Sequence, residues 1–481
     1  MTALSSARVS PQVQPSPHTD SLRRFGRADV LIAVSAAGLT VAAQPFGESS
    51  STYAIAIAAI TVVFGLANKR AAWVLYVLAL CASGVNVAGG GSLLLEHAAL
   101  IPIAFHVLTS RQPGTRKKRG GLTVAALAFA FWFAANAITS VIQSPDSGQS
   151  LRLMLWVGSN FVAAILVYWL PMRPANMARD ALTVVAASAA GSVAMWGLAT
   201  ATSSPSIFVE QDYASAFFRL QGLMLEPNLL AALLFFASCV AVRFSRELPR
   251  ALVVVFLVIA AVGIVLTFTR VAGALMVVLL ITYLWPALSA IARVIAVIFG
   301  IAGALLFSNG SSNGGGGPTL LSTLGDRAAG LLDFGSGTGA FRVRTADLAI
   351  NEIVQRGAFI GQGFNSFPQL HQSDQGSKGE LYLGLLWLVI VYDGGVIGAL
   401  FFLTGVIAVW ASVGWKKGLL FFGGFALIAS TTNPIWYVFP WVFAVLMVRA
   451  RDSPEFAPLR QFSQPDATQM ASLDSKGAKT R

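Results

Sequence analysis

Charge is what this sequence has least of. Asp, Glu, Lys and Arg together make up 11% of its 481 residues, less than half of the roughly 25% usual in soluble domains. A chain so poor in charge cannot cover an ordinary water-facing surface. Cysteine is scarcer still. Cys81 and Cys239 both fall inside apolar runs, which excludes a disulfide framework or a Cys/His metal spacing and leaves both as small apolar core residues. Also missing are an obvious internal repeat and the short alternating segments of a transmembrane β-barrel. No metal or cofactor signal accompanies the four histidines.

What fills the chain is apolar sequence in blocks. Hydrophobic residues make up 56% and the mean hydropathy is +0.70. The blocks run to about 16–22 residues, and a bilayer core takes about 20. The pattern specifies an all-α polytopic membrane protein with about 12–14 transmembrane helices. It divides into a polar tail (1–28), a transmembrane bundle (29–308), one large loop with helices (309–394), C-terminal spans (395–448) and a second polar tail (449–481). The first tail is too long for a signal-peptide leader, so the first apolar block reads as a retained span.

Lys and Arg collect on the cytoplasmic side of such proteins. The joints "NKR" (68–70), "RQPGTRKKR" (111–119), "RFSRELPR" (243–250), "WKK" (415–417) and "RAR" (449–451) alternate so that all fall on one side. Both termini are therefore expected in the cytoplasm of a plasma membrane. The net charge of +12 follows from this bias and needs no nucleic-acid partner. The basic residues left on the outer side are Arg152, Arg219, Arg270, Arg327, Arg342, Arg344, Arg356 and Lys378. Arg219 and Arg270 stand at span edges, where an ionisable group marks a functional site, and a guanidinium is shaped to hold phosphate oxygens. Glu226-Pro227-Asn228 opens a span. Pro227 suits a first helical turn, while Glu226 is expected to pair with and orient Arg219.

Four stretches then follow in order. They are "RLQGLMLEPNLLA" (219–231), "LTFTRVAGAL" (266–275), "FRVRTADLAINEIVQRGAFIGQGFNSF" (341–367) and "LYLGLLWLVIVYDGGVIGALFFL" (381–403). The third reads as a helix and a glycine-rich turn, and the fourth as a surface helix leading into a span at 395. Together they resemble the O-antigen ligase and O-antigen polymerase family of bacterial envelope proteins. The likeness covers roughly residues 215–405; upstream it is hydropathy alone.

The resemblance implies a GT-C-like, metal-independent glycosyltransferase of the bacterial inner membrane. Its donor would be a glycan on undecaprenyl pyrophosphate, and its acceptor a glycan or glycolipid. On this reading Arg219, Arg270, Arg342 and Arg344 bind pyrophosphate, with Glu226 and Asn228 in support. The chain departs from the family where a His-Asn pair is expected before the last helix, since Gly379-Glu380 stands there. Either His371 folds back into the site as the catalytic group, or Glu380 or Asp374 replaces it, or this member works differently. Rival classes are a lipid-linked-glycan transporter or flippase and a non-enzymatic envelope assembly factor.

Overall fold

A computed structural model describes residues 26–43, 51–84, 95–110, 120–204, 206–211, 218–285, 337–357, 359–371 and 382–452. Helices α1 (Arg27–Ala42), α2 (Ser51–Ala67), α3 (Lys69–Cys81), α4 (Leu95–Thr109), α5 (Gly120–Gln143), α6 (Ser147–Trp169) and α7 (Pro174–Thr202) come first. A two-stranded antiparallel ribbon follows, β1 (Val209–Gln211) and β2 (Phe218–Leu220). Then come α8 (Pro227–Arg243), α9 (Arg250–Leu266), α10 (Arg270–Leu284), α11 (Gly337–Arg356), the short α12 (Ser366–Leu370), α13 (Leu386–Val413), α14 (Trp415–Ala429) and α15 (Phe439–Arg449). Among the described residues, α5, α6, α7 and α13 are long and apolar enough to cross a membrane, and α8, α9 and α10 are shorter apolar helices. The end of the expected bundle (286–308), the glycine-rich start of the large loop and most of both tails lie outside the described residues.

The packing suits an apolar solvent. α8 is the central helix, buried from Leu229 through Ala241, and a helix apolar all round belongs in an interior. Beside it, Phe129, Trp132, Phe161, Phe402 and Trp441 join α5, α6, α13 and α15, with ring centroids as close as 4.6 Å. Outward, Leu108, Val141, Leu155 and Ile165 are exposed, as lipid-facing side chains must be.

Among the described residues, basic joints meet at one end. Lys417 lies near Arg243, Arg451 and Arg246; burial and then these like charges hold its ammonium below the usual lysine range. Nearby, Arg449 donates to the backbone oxygens of Val167 (3.0 Å) and Met172. At the starts of α1, α3 and α7, Arg70 pairs with Asp180 at 2.6 Å and with Asp29 at 3.4 Å, and Arg179 also pairs with Asp29. The starts of α8, α13 and α15 lie at the opposite end.

There the helix expected before residue 395 and the span expected from it meet end to end as α13, two helical pieces separated by a sharp break at Gly395 (φ 66°, ψ −174°). The break receives the turn after α11. Gln362 N–H donates to Tyr392 O (2.8 Å) and Gly363 N–H to Asp393 O (3.1 Å). A Cβ on Gly361 would stand 2.0 Å from Asp393 O, and one on Gly395 2.4 Å from Phe359 O. Gly361 and Gly395 thus let two backbones touch. Ser140 Oγ of α5 accepts the Phe364 N–H (2.8 Å), and Gln369 bonds Ser144 and Ser150, which fastens the turn to the bundle.

Candidate functional site

The ribbon sets the first arginine. Its register places Glu210 opposite Arg219, and the two form an ion pair at 2.9 Å. Arg219 Nε also donates to Thr267 O at 3.1 Å, at the point where α9 ends. The chain turns there through Phe268 (φ 53°), and Thr269 Oγ1 donates to Asn228 Oδ1 at 3.2 Å. Asn228 Nδ2 in turn donates to Glu226 Oε1 at 3.4 Å. Glu226 is the N-cap residue of α8 and Pro227 takes its first position, where a missing N–H costs nothing. The stretches 219–231 and 266–275 therefore meet through two hydrogen bonds.

These groups form one wall of a cavity of about 410 Å³. Arg342 of α11 reaches it from the loop, its side chain lying along Gly384. Asn365, Phe367 and Asp393 line it from the docked turn and the kink of α13, and Thr432, Asn433 and Tyr437 from the connection before α15. Asp393 is buried and its Oδ2 accepts the Asn365 N–H at 2.9 Å. Burial raises the affinity of the Glu226 carboxyl for a proton above the ordinary glutamate range. The Asn228 bond opposes this, Glu210 adds to it, and Arg342 and Arg219 pull it back. Two guanidinium groups and three carboxylates thus face one space, a setting that can hold an anion and move a proton.

Of the residues singled out in the sequence, Arg219, Glu226, Asn228 and Arg342 are brought together here. Arg270 and Arg344 are exposed and do not line the cavity; Arg270 follows Thr269, which bonds the lining residue Asn228. His371 ends α12 behind the lining. Its Nε2 lies 3.0 Å from Glu352 Oε1 and its ring rests on Phe367 at 4.5 Å, so Phe367 faces the cavity. Glu380 and Asp374 lie outside the described residues. The acidic group against Arg219 is Glu210 at 2.9 Å, where Glu226 was expected; Glu226 acts on Arg219 through its charge. Sequence reading missed Glu210, Asp393 and the polar stretch 431–433. Asp393 carries the same signal as Glu226, a carboxylate inside an apolar run, but it falls where the surface helix reads as giving way to the span at 395. No protein-family model matches this chain, and no curated protein matches it.

Proposed function

We propose that this chain is a GT-C-like membrane glycosyltransferase of the O-antigen ligase or polymerase kind. It moves a saccharide from undecaprenyl pyrophosphate to a glycan or glycolipid acceptor at the outer face of the bacterial inner membrane, with both termini in the cytoplasm. The observation that carries the reading is the convergence of Arg219 and Arg342, from elements far apart in sequence, on one carboxylate-lined cavity away from the basic joints.

The chemistry follows from the groups present. An acceptor hydroxyl oxygen attacks the anomeric carbon. The bond from that carbon to the phosphate oxygen breaks, and its electron pair leaves with undecaprenyl pyrophosphate. Arg219 and Arg342 stabilise the charge gathering on that leaving group, where fixed cations act most strongly. The hydroxyl proton passes to Glu226, whose raised proton affinity suits a general base. Arg270 attracts the carrier phosphates from the rim, and Arg344 does so from the exposed face of α11. His371 positions Phe367 through the pair with Glu352.

The test is transfer in reconstituted membranes with a radiolabelled undecaprenyl-pyrophosphate oligosaccharide. Arg342→Ala and Glu226→Gln are each expected to lose about a hundredfold or more, and His371→Ala less than either. Full loss in His371→Ala or Glu380→Gln with Glu226→Gln active moves the base to that residue. A wild type that carries donor across the bilayer without transferring saccharide makes the protein a flippase.

A further inference from the structure

A second cavity, of about 360 Å³, lies among the basic joints, lined by Asn68, Lys69, Arg70, Arg173, Arg179 and Asp180 with neighbouring residues of the α6–α7 turn. It sits at the start of α7, whose 29 residues separate it from the ribbon by about 40 Å at 1.5 Å per residue. Its charges do not cancel. Arg70 and Arg179 are matched by Asp180 and by Asp29 behind them. Lys69 and Arg173, both exposed at the rim, have no acidic partner among the described residues. Two helix starts open on the same space. Asn68 caps α3, and Arg173 precedes Pro174 at the head of α7. First-turn amides lack intrahelical acceptors and carry the positive end of the helix dipole.

We propose that this cavity binds a phosphate group, held by Lys69 and Arg173 over the Arg70–Asp180 pair. Two surplus positive charges match a phosphate, and the guanidinium of Arg173 offers it paired N–H donors. The matched pairs beneath keep the site open, because their charges are already committed to each other. The phosphate could come from an anionic lipid headgroup, which basic pockets between membrane helices recognise, or from a soluble phosphate. Nothing in this site depends on the transfer reaction.

The experiment measures binding of two probes, dioctanoyl phosphatidylglycerol and inorganic phosphate, to the purified full chain in detergent. Dioctanoyl phosphatidylcholine serves as the control. Wild type is expected to bind phosphatidylglycerol saturably, and a Lys69→Gln/Arg173→Gln double variant about thirtyfold more weakly. Lys69→Arg, which keeps both charges and the paired donors of Arg173, should bind as wild type does, and an elution profile of the glutamine variant matching wild type shows that its loss is not misfolding. Phosphatidylglycerol binding that inorganic phosphate does not displace assigns the site to lipid. Binding of inorganic phosphate with the same residue dependence assigns it to soluble phosphate. Equal affinities in wild type and the glutamine variant, or no saturable binding of either probe, overturns the proposal.

Discussion

Leu225, Phe268 and Asn365 each hold a left-handed backbone, with φ of 56°, 53° and 52°. Side chains other than glycine avoid this region, and such residues gather where the surroundings force a particular geometry. All three flank the cavity, next to Glu226, between Thr267 and Thr269, and on the lining itself. Arg219 shows a similar demand for geometry. Its Nε and Nη1 serve different acceptors, Thr267 O and Glu210. Lysine keeps the charge but cannot fork, so Arg219→Lys is expected to lose at least about tenfold in transfer while folding normally, as checked by activity against elution profile. Glu226 sets a pH signature. Its folded carboxyl holds a proton above the ordinary value near 4.5. As pH rises from there through the folded value, the unfolded chain has released the proton first, so stability falls. Under the proposed mechanism, transfer is expected to rise over the same window, because Glu226 must be ionised to act as the base. Glu226→Gln should flatten the low-pH limb of both curves, measured as rate and as Tm. A limb unchanged in the variant assigns it to another group.

At the scale of elements, the contact between the turn 359–365 and the kink of α13 decides whether the loop wall exists at all. A methyl on Gly361 meets Asp393 O at 2.0 Å, and carbonyl oxygen of a buried helix cannot give way cheaply. Gly361→Ala and Gly395→Ala should therefore undock the turn and cost transfer about as much as losing Arg342, with helix content by circular dichroism nearly unchanged. Full activity in Gly361→Ala would show that the turn is not part of the working site. This contact also marks how far the sequence could be read. The glycines at 357–363 and 394–395 were legible as turns because glycine punctuates apolar sequence. That the two turns touch was not, since pairing across such a separation leaves no periodic trace. The charged residues entering α8 stood out for their cost in lipid. Glu210 did not, because it sits in a polar stretch where one more acid is ordinary, and only the ribbon's register brings it to Arg219.

For the whole molecule, scarcity of charge made the fold class legible, and the spacing of Arg and Lys made the ends of the bundle legible. The meeting of Arg243, Arg246, Lys417 and Arg451 joins three joints read separately in the sequence. The lengths were less legible. α7 has 29 residues, roughly 43 Å at 1.5 Å per residue, against about 30 Å of hydrocarbon. The excess is accommodated by tilt or by standing proud of the lipid. Near its far end Trp196 Nε1 donates to Phe218 O at 2.9 Å, so any length of α7 that stands proud at this end carries the ribbon and Arg219 with it. Membrane thickness therefore becomes a variable of the protein. Short-chain phosphatidylcholines leave the ribbon raised among headgroups, and long-chain ones draw it toward the acyl region. Transfer rates in vesicles of increasing chain length should fall once the hydrocarbon overtakes the overhang, while a rate indifferent to chain length would mean that the ribbon keeps its depth by other contacts. If the proposed transfer is the protein's task, a cell that thickens its membrane would by this route slow it without touching the protein.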